Sequence, residues 1–186
     1  TDGSYAALTV RGESGDLDME AGSNPFGGTL DTLNANTFLG DLAIGEMTDA
    51  LNIDTFTATG GGDITLEEII NGAEKANFSV TTGAGDDDID VSLNGNAVDS
   101  LQTGLTIATA AGADMVTVTG SGAVSDATTL ALNNLSIATG AGEDTVHLNA
   151  DHIYRVNTGT DSDFVVVDSD NSVGGGNGMT GFWSIG

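Results

Sequence analysis

Cysteine is absent from the 186 residues, so the chain has no disulfide framework, thiolate metal site or thiol nucleophile. Basic residues are nearly absent too: Arg11, Lys75 and Arg155 stand against 28 acids, for a net charge of −25. Nucleic-acid binding needs clustered Lys and Arg, and so does attraction to an anionic membrane surface; the charge argues against both partners. No apolar run is long enough to span a bilayer. With a single proline, Pro25, strand ladders can run uninterrupted elsewhere. No signal-peptide pattern is visible and residue 1 is Thr, which reads as a processed chain or an excised segment.

What is present is a core-forming, repetitive chain. Hydrophobic residues make up 39%, with abundant Val, Ile and Leu, which separates it from a disordered acidic tail. Its length suits one domain over residues 1–186. A nine-residue phrase occurs four times in one register, starting at Thr82, Thr109, Thr139 and Thr158. The copies read TGAGDDDID, TAAGADMVT, TGAGEDTVH and TGTDSDFVV, and self-similarity of this kind signals one structural unit stacked or arrayed.

Apolar residues flank each phrase at alternate positions: Phe78 and Val80 before the first copy, Ile89 and Val91 after it. The same holds for Leu105, Ile107, Val116 and Val118, for Leu135, Ile137, Val146 and Leu148, and for Tyr154, Val156, Val165 and Val167. Alternation of period two predicts strands with one buried face, so the unit is strand, Gly-rich turn, strand. The starts at 82, 109, 139 and 158 lie 27, 30 and 19 residues apart. About 27 residues at roughly 3.3 Å each suffice for one turn of a three-sided parallel β-solenoid, the expected fold. Four hairpins in an antiparallel β-sandwich are the alternative.

The regular repeats are expected over 78–170, and residues 1–77 are expected to be irregular. A weaker copy is read at Leu8–Val10, Gly15-Asp16 and Leu17–Met19, with a loop two residues shorter, and a degenerate one at Leu39–Ile44. The capping-box spacing of Thr65 and Glu68, with Leu66, Ile69, Ile70 and Ala73 on one helical face, predicts a short helix near 65–75. Its role would be to cover an exposed part of the β-core. Gly62–Glu68 has the second half of an EF-hand loop but lacks the acids of the first half, so that reading is rejected.

The phrase resembles the calcium-binding nonapeptide of the repeats-in-toxin family, Gly-Gly-x-Gly-x-Asp-x-(apolar)-x, although its copies do not run in tandem. The resemblance implies Ca2+ held between successive turns by Asp87, Asp114, Asp144 and Asp163, with backbone ligands from Gly83, Gly85, Gly112, Gly140, Gly142 and Gly159. Ala110 and Asp161 replace two of the family's glycines. Asp86, Glu143 and Asp161 add negative charge beside the column and are further candidate metal ligands, and Asp168 and Asp170 form a second acidic cluster before the Gly174–Gly176 run whose spacing can wrap a calcium ion. Stacked carboxylates about 5 Å apart repel by roughly 1 kcal/mol in water and about 3 kcal/mol at an effective dielectric of 20. A divalent cation converts that cost into binding energy.

Signals of catalysis are thin. No Gly-x-Ser-x-Gly elbow, phosphate loop or zinc-binding helix is present, and His147 alternates with core positions, which places it on an outer face. The expectation is therefore a non-catalytic, secreted structural protein of the bacterial cell surface: a calcium-stabilised subunit or module of a surface layer, filament or fibre. It would form homo-oligomers or polymers through solenoid ends or flanks, with Phe182 and Trp183 as aromatic anchors. Two alternatives share the architecture. One is an adhesin module for a cell surface or glycan; the other is a calcium-dependent polysaccharide lyase or hydrolase, with Arg155 as its only nearby base.

Overall fold

The computed structural model describes residues 7–13, 15–19, 31–45, 55–71, 77–94, 104–121, 135–149, 154–167 and 182–184. Strands β1 (Ala7–Gly12) and β2 (Leu17–Met19) form a first rung, and β3 (Thr32–Phe38) and β4 (Leu42–Ile44) a second. The third is β5 (Thr55–Ala58) with β6 (Ile64–Asn71), and the fourth is β7 (Asn77–Thr82) with β8 (Asp88–Asn94). Then come β9 (Gly104–Ala108) with β10 (Met115–Ser121), β11 (Leu135–Ala138) with β12 (Thr145–Asn149), and β13 (Tyr154–Asn157) with β14 (Phe164–Val167). β15 (Phe182–Ser184) opens an eighth rung.

Odd-numbered strands stack into an eight-stranded sheet and even-numbered strands into a seven-stranded sheet, each in chain order. Every pairing is parallel, from β1 with β3 to β13 with β15. The fold is thus a parallel β-solenoid and not an antiparallel sandwich. Described residues supply two strands per rung; the third side expected from the repeat length falls on stretches outside them.

Like residues stack on like. Leu33, Phe56, Val80, Ile107, Ile137 and Val156 follow one another in register through the eight-stranded sheet, all buried. Leu66, Ile89, Val116 and Val146 do the same in the other sheet. Each contributes about 1.5–3 kcal/mol through burial, so the core is a pair of continuous apolar columns between the sheets.

The described residues before 77 also form rungs, with register shifts between β1 and β3 and between β6 and β8. They hold three rungs, of which Leu39–Ile44 contributes the second's turn and β4. In the first rung the structure pairs Leu8 with Leu33 and Met19 with Ile44. Residues 8 and 19, not Val10 and Leu17, are therefore equivalent to Val80 and Ile89, and the turn is two residues longer rather than shorter.

No helix occurs among the described residues, and residues 65–71 of the expected helix belong to strand β6 (Ile64–Asn71). Residues 72–75 lie outside the described residues. Leu66 pairs with Ile89 and Ile69 with Val91, with a register shift between them. The bulge turns an i, i+2 strand pair into i, i+3 spacing, which mimics a helical face.

Candidate functional site

The two strands of each rung meet at the Gly-rich turn, and the turns stack as closely as the strands. Ala84, Ala111, Ala141 and Thr160 bridge from rung to rung. Behind them, the carbonyl of Gly85 abuts Gly112 and the carbonyl of Gly112 abuts Gly142, so a Cβ at either later glycine would strike backbone. Gly112 and Gly142 also have φ of +151° and +140°, which L side chains rarely adopt. Asp161 occupies this glycine position in the seventh rung, at φ 91°.

Acids leave the turns in two columns of opposite direction. In the outer, exposed column, Asp16 Oδ1 accepts Asp41 N–H (3.4 Å), Asp41 Oδ1 accepts Asp63 N–H (2.9 Å), and Asp63 Oδ1 accepts Asp86 N–H (2.8 Å). Asp86 Oδ1 then accepts Ala113 N–H at 2.8 Å. Each of these carboxylates reaches towards the following rung.

The inner column reaches back. Asp87 Oδ1 accepts Ile64 N–H at 2.9 Å, Asp114 Oδ1 accepts Asp87 N–H at 3.0 Å, and Asp144 Oδ1 accepts Asp114 N–H at 3.0 Å. Asp163 Oδ1 accepts Asp144 N–H at 3.1 Å. Asp87, Asp114 and Asp144 are each only 1% exposed. The fourth rung carries one acid of each column, Asp86 and Asp87.

Across the turn from the inner acids lies a column of buried threonines, Thr82, Thr109, Thr139 and Thr158. The two columns change together along the chain. In rungs two and three the same positions hold Ala35 with Leu42 and Ala58 with Ile64, all buried and apolar. From the fourth rung onward they hold Thr and Asp. A buried carboxylate requires polar partners, and the threonine supplies one where an alanine cannot.

That supply is unequal between rungs. The Thr82 hydroxyl donates to Asp87 Oδ2, so both oxygens of Asp87 are engaged. Thr109 donates instead to the Thr139 carbonyl (3.0 Å), and Thr139 donates to the Thr158 carbonyl (3.3 Å). Asp114 Oδ2, Asp144 Oδ2, Asp163 Oδ2 and Thr158 Oγ1 are consequently buried without a partner.

Burial pushes Asp87 up to about 6, against the Thr82 hydroxyl and the Ile64 N–H, with Asp114 and Asp63 adding repulsion. Burial likewise raises Asp114, with the neighbouring Thr109 and the Asp87 N–H opposing it and Asp144 and Asp86 reinforcing it. Asp88 and Asp90, on the outer face of β8, are also raised by desolvation; Asp90 and Glu67 add to the effect at Asp88.

The expected ligand set is only partly brought together. Asp87, Asp114, Asp144 and Asp163 form one column as expected. Asp86 and Glu143 are exposed beside it. The carbonyls of Gly83 and Gly140 accept N–H groups of Ala110 and Thr160 in the next rung, while those of Gly85 and Gly112 face the next glycine. Gly159 in turn packs against the Gly140 carbonyl. Asp168 and Asp170 lie outside the described residues. Among the described residues no group of three or more His, Asp or Glu gathers as a metal cage; the acids run along an axis instead.

Arg155 is exposed on the outer face of β13, opposite the buried Val156 and away from the inner column. β15 places Trp183 in register with Val156. Sequence reasoning missed the threonine column and the outer acids before residue 77. Both had a signal: Thr opens every phrase, and Gly-Asp-apolar recurs at Gly15–Leu17, Gly40–Leu42 and Gly62–Ile64. Comparison with protein-family models, with curated proteins and with solved structures gives no match to this chain.

Proposed function

We propose that this chain is a non-catalytic structural module of a bacterial cell surface, a rigid solenoid for a surface layer, filament or fibre. The observation that carries the reading is the use made of the repeated acids and threonines. They bind neighbouring rungs to one another along the whole axis, where an enzyme would converge a few polar groups on one pocket. A surface of net charge −25 keeps such a rod soluble and well separated from anionic polymers.

Calcium belongs to the same proposal. Asp114, Asp144 and Asp163 each offer a buried oxygen without a donor, which suits a hard cation that takes oxygen ligands. Asp87, with both oxygens occupied, is not counted among the holders. Bound there, a divalent ion would neutralise the buried charge and add about 2.7 kcal/mol of stability at a hundred times its dissociation constant.

The test is melting temperature and particle size, first in EDTA and then in millimolar calcium. Both should rise, and the paired substitutions Asp114→Asn and Asp144→Asn should blunt the response. Unchanged melting would remove calcium from the reading. Turnover of a polysaccharide, lost on Arg155→Ala, would replace it with the lyase.

A further inference from the structure

The two sheets turn different chemistry outward. On the eight-stranded sheet, the residues that alternate with the buried column from Leu33 to Val156 form an outer ladder. Thr32, Thr55, Ser79, Thr106 and Ser136 follow one another in register, and two residues further along each strand stands Asn, Thr or Ala. None of these residues is buried, and Thr106 is exposed. Arg155 continues the ladder at one end, and Arg11, in register with Thr37, stands exposed at the other. Among the described residues, this outer face holds two of the chain's three basic residues and no acid.

The acids lie elsewhere. Asp18, Glu67, Asp88 and Asp90 stand on the outer side of the seven-stranded sheet, and the turns carry the exposed column from Asp16 to Asp86. At a net charge of −25, two copies of the chain repel wherever such surfaces meet. The face of the eight-stranded sheet is where that repulsion is least. Its hydroxyls both donate and accept, so a face of Thr and Ser is complementary to itself.

We propose that the outer face of the eight-stranded sheet is the lateral contact between two copies of this chain, packed face to face about a two-fold axis. The inference rests on the structural reading above and names the flank through which such a module joins its neighbour. Short side chains let the two sheets close to the usual separation of about 10 Å. Eight strands about 4.8 Å apart, each presenting about 15 Å of its length, give a footprint of roughly 500 Å². Two copies then bury about 1,000 Å² between them, the size at which a specific contact becomes stable.

The experiment is sedimentation equilibrium of the full chain in millimolar calcium. Raising the salt from about 0.01 M to about 0.1 M shortens the screening length from about 30 Å to about 10 Å, so association should tighten. A contact made of ion pairs would loosen instead. Thr106→Glu sets a carboxylate from each copy near the middle of the contact and should weaken association roughly tenfold or more. Thr145→Glu adds the same charge on the outer side of β12, in the other sheet, and should leave association unchanged. Circular dichroism checks that both variants fold, and the salt series uses the unaltered chain. Looser association at higher salt, or equal effects of the two variants, overturns the contact. Assembly that survives Thr106→Glu overturns this inference alone; a chain that stays monomeric in every condition overturns the structural reading with it.

Discussion

Asp87 accepts the backbone N–H of Ile64, the residue it replaces one rung later in the inner column. At this joint the interior of the turn changes from apolar to acidic. Ile64 needs no polar partner for its side chain but leaves an N–H to be met, and the carboxylate that meets it is the first buried one. The next three aspartates repeat the contact in the same direction.

Burial gives that first carboxylate a pH signature. Asp87 titrates near 6 in the fold against 3.8 in the unfolded chain, so the folded state holds the extra proton between these values. Its contribution to stability is fully present below about pH 4 and lost as the pH rises through 6. Unfolding in EDTA should therefore show higher stability at pH 5 than at pH 7, by on the order of 1–2 kcal/mol. A flat profile, or one falling towards pH 5, would count against a desolvated Asp87.

Asp144→Ala removes the acceptor of the buried Asp114 N–H. The expected loss is about 1–3 kcal/mol in a urea titration without calcium, and Asp144→Asn, which keeps an oxygen, should recover most of it. Equal losses for the two variants would mean that charge, not the hydrogen bond, sets the role of this residue.

Gly142→Ala drives a Cβ into the Gly112 carbonyl at a φ of +140°. A loss of about 3 kcal/mol or more is expected, or failure to fold. Gly61→Ala meets only the Ala84 carbonyl at 3.8 Å and should be tolerated. Circular dichroism melts of the pair decide the matter, and similar melting of both would refute the stacked-glycine geometry.

Asp161 stands where the earlier rungs have glycine, at φ 91°. Asp161→Gly relieves that backbone and should raise stability by about 1 kcal/mol. A lower melting temperature would show that its carboxylate does more than the hydrogen bond it takes from Thr160 at 3.3 Å.

The solenoid was legible in the sequence wherever the turn has constant length. From Val80 to Ile89, and in each later copy, paired core residues lie nine positions apart. In the earlier rungs the equivalents are 8 and 19, 33 and 44, and 56 and 66, so the separation is eleven, eleven and ten. A fixed register cannot follow that drift, and the first three rungs read as irregular for this reason. The bulge between Leu66 and Ile69 concealed β6 in the same way, by giving a strand the spacing of a helix. The acid column was legible because the phrase carries it; the direction of its hydrogen bonds was not, since two adjacent acids such as Asp86 and Asp87 point opposite ways.

Between the rungs the numbering leaps by unequal amounts, from Asn94 to Gly104, from Ser121 to Leu135 and from Asn149 to Tyr154, while the pairing registers on either side stay unbroken. From the fourth rung on, chain length is therefore constant on the side of the phrase and varies on the side opposite. Doubling the length of a connection costs only about 0.6 kcal/mol in closure entropy. Insertions, tags or whole grafted segments placed there would ride on the rod at rung intervals without moving a ladder contact, so the same backbone can serve as a spaced display scaffold.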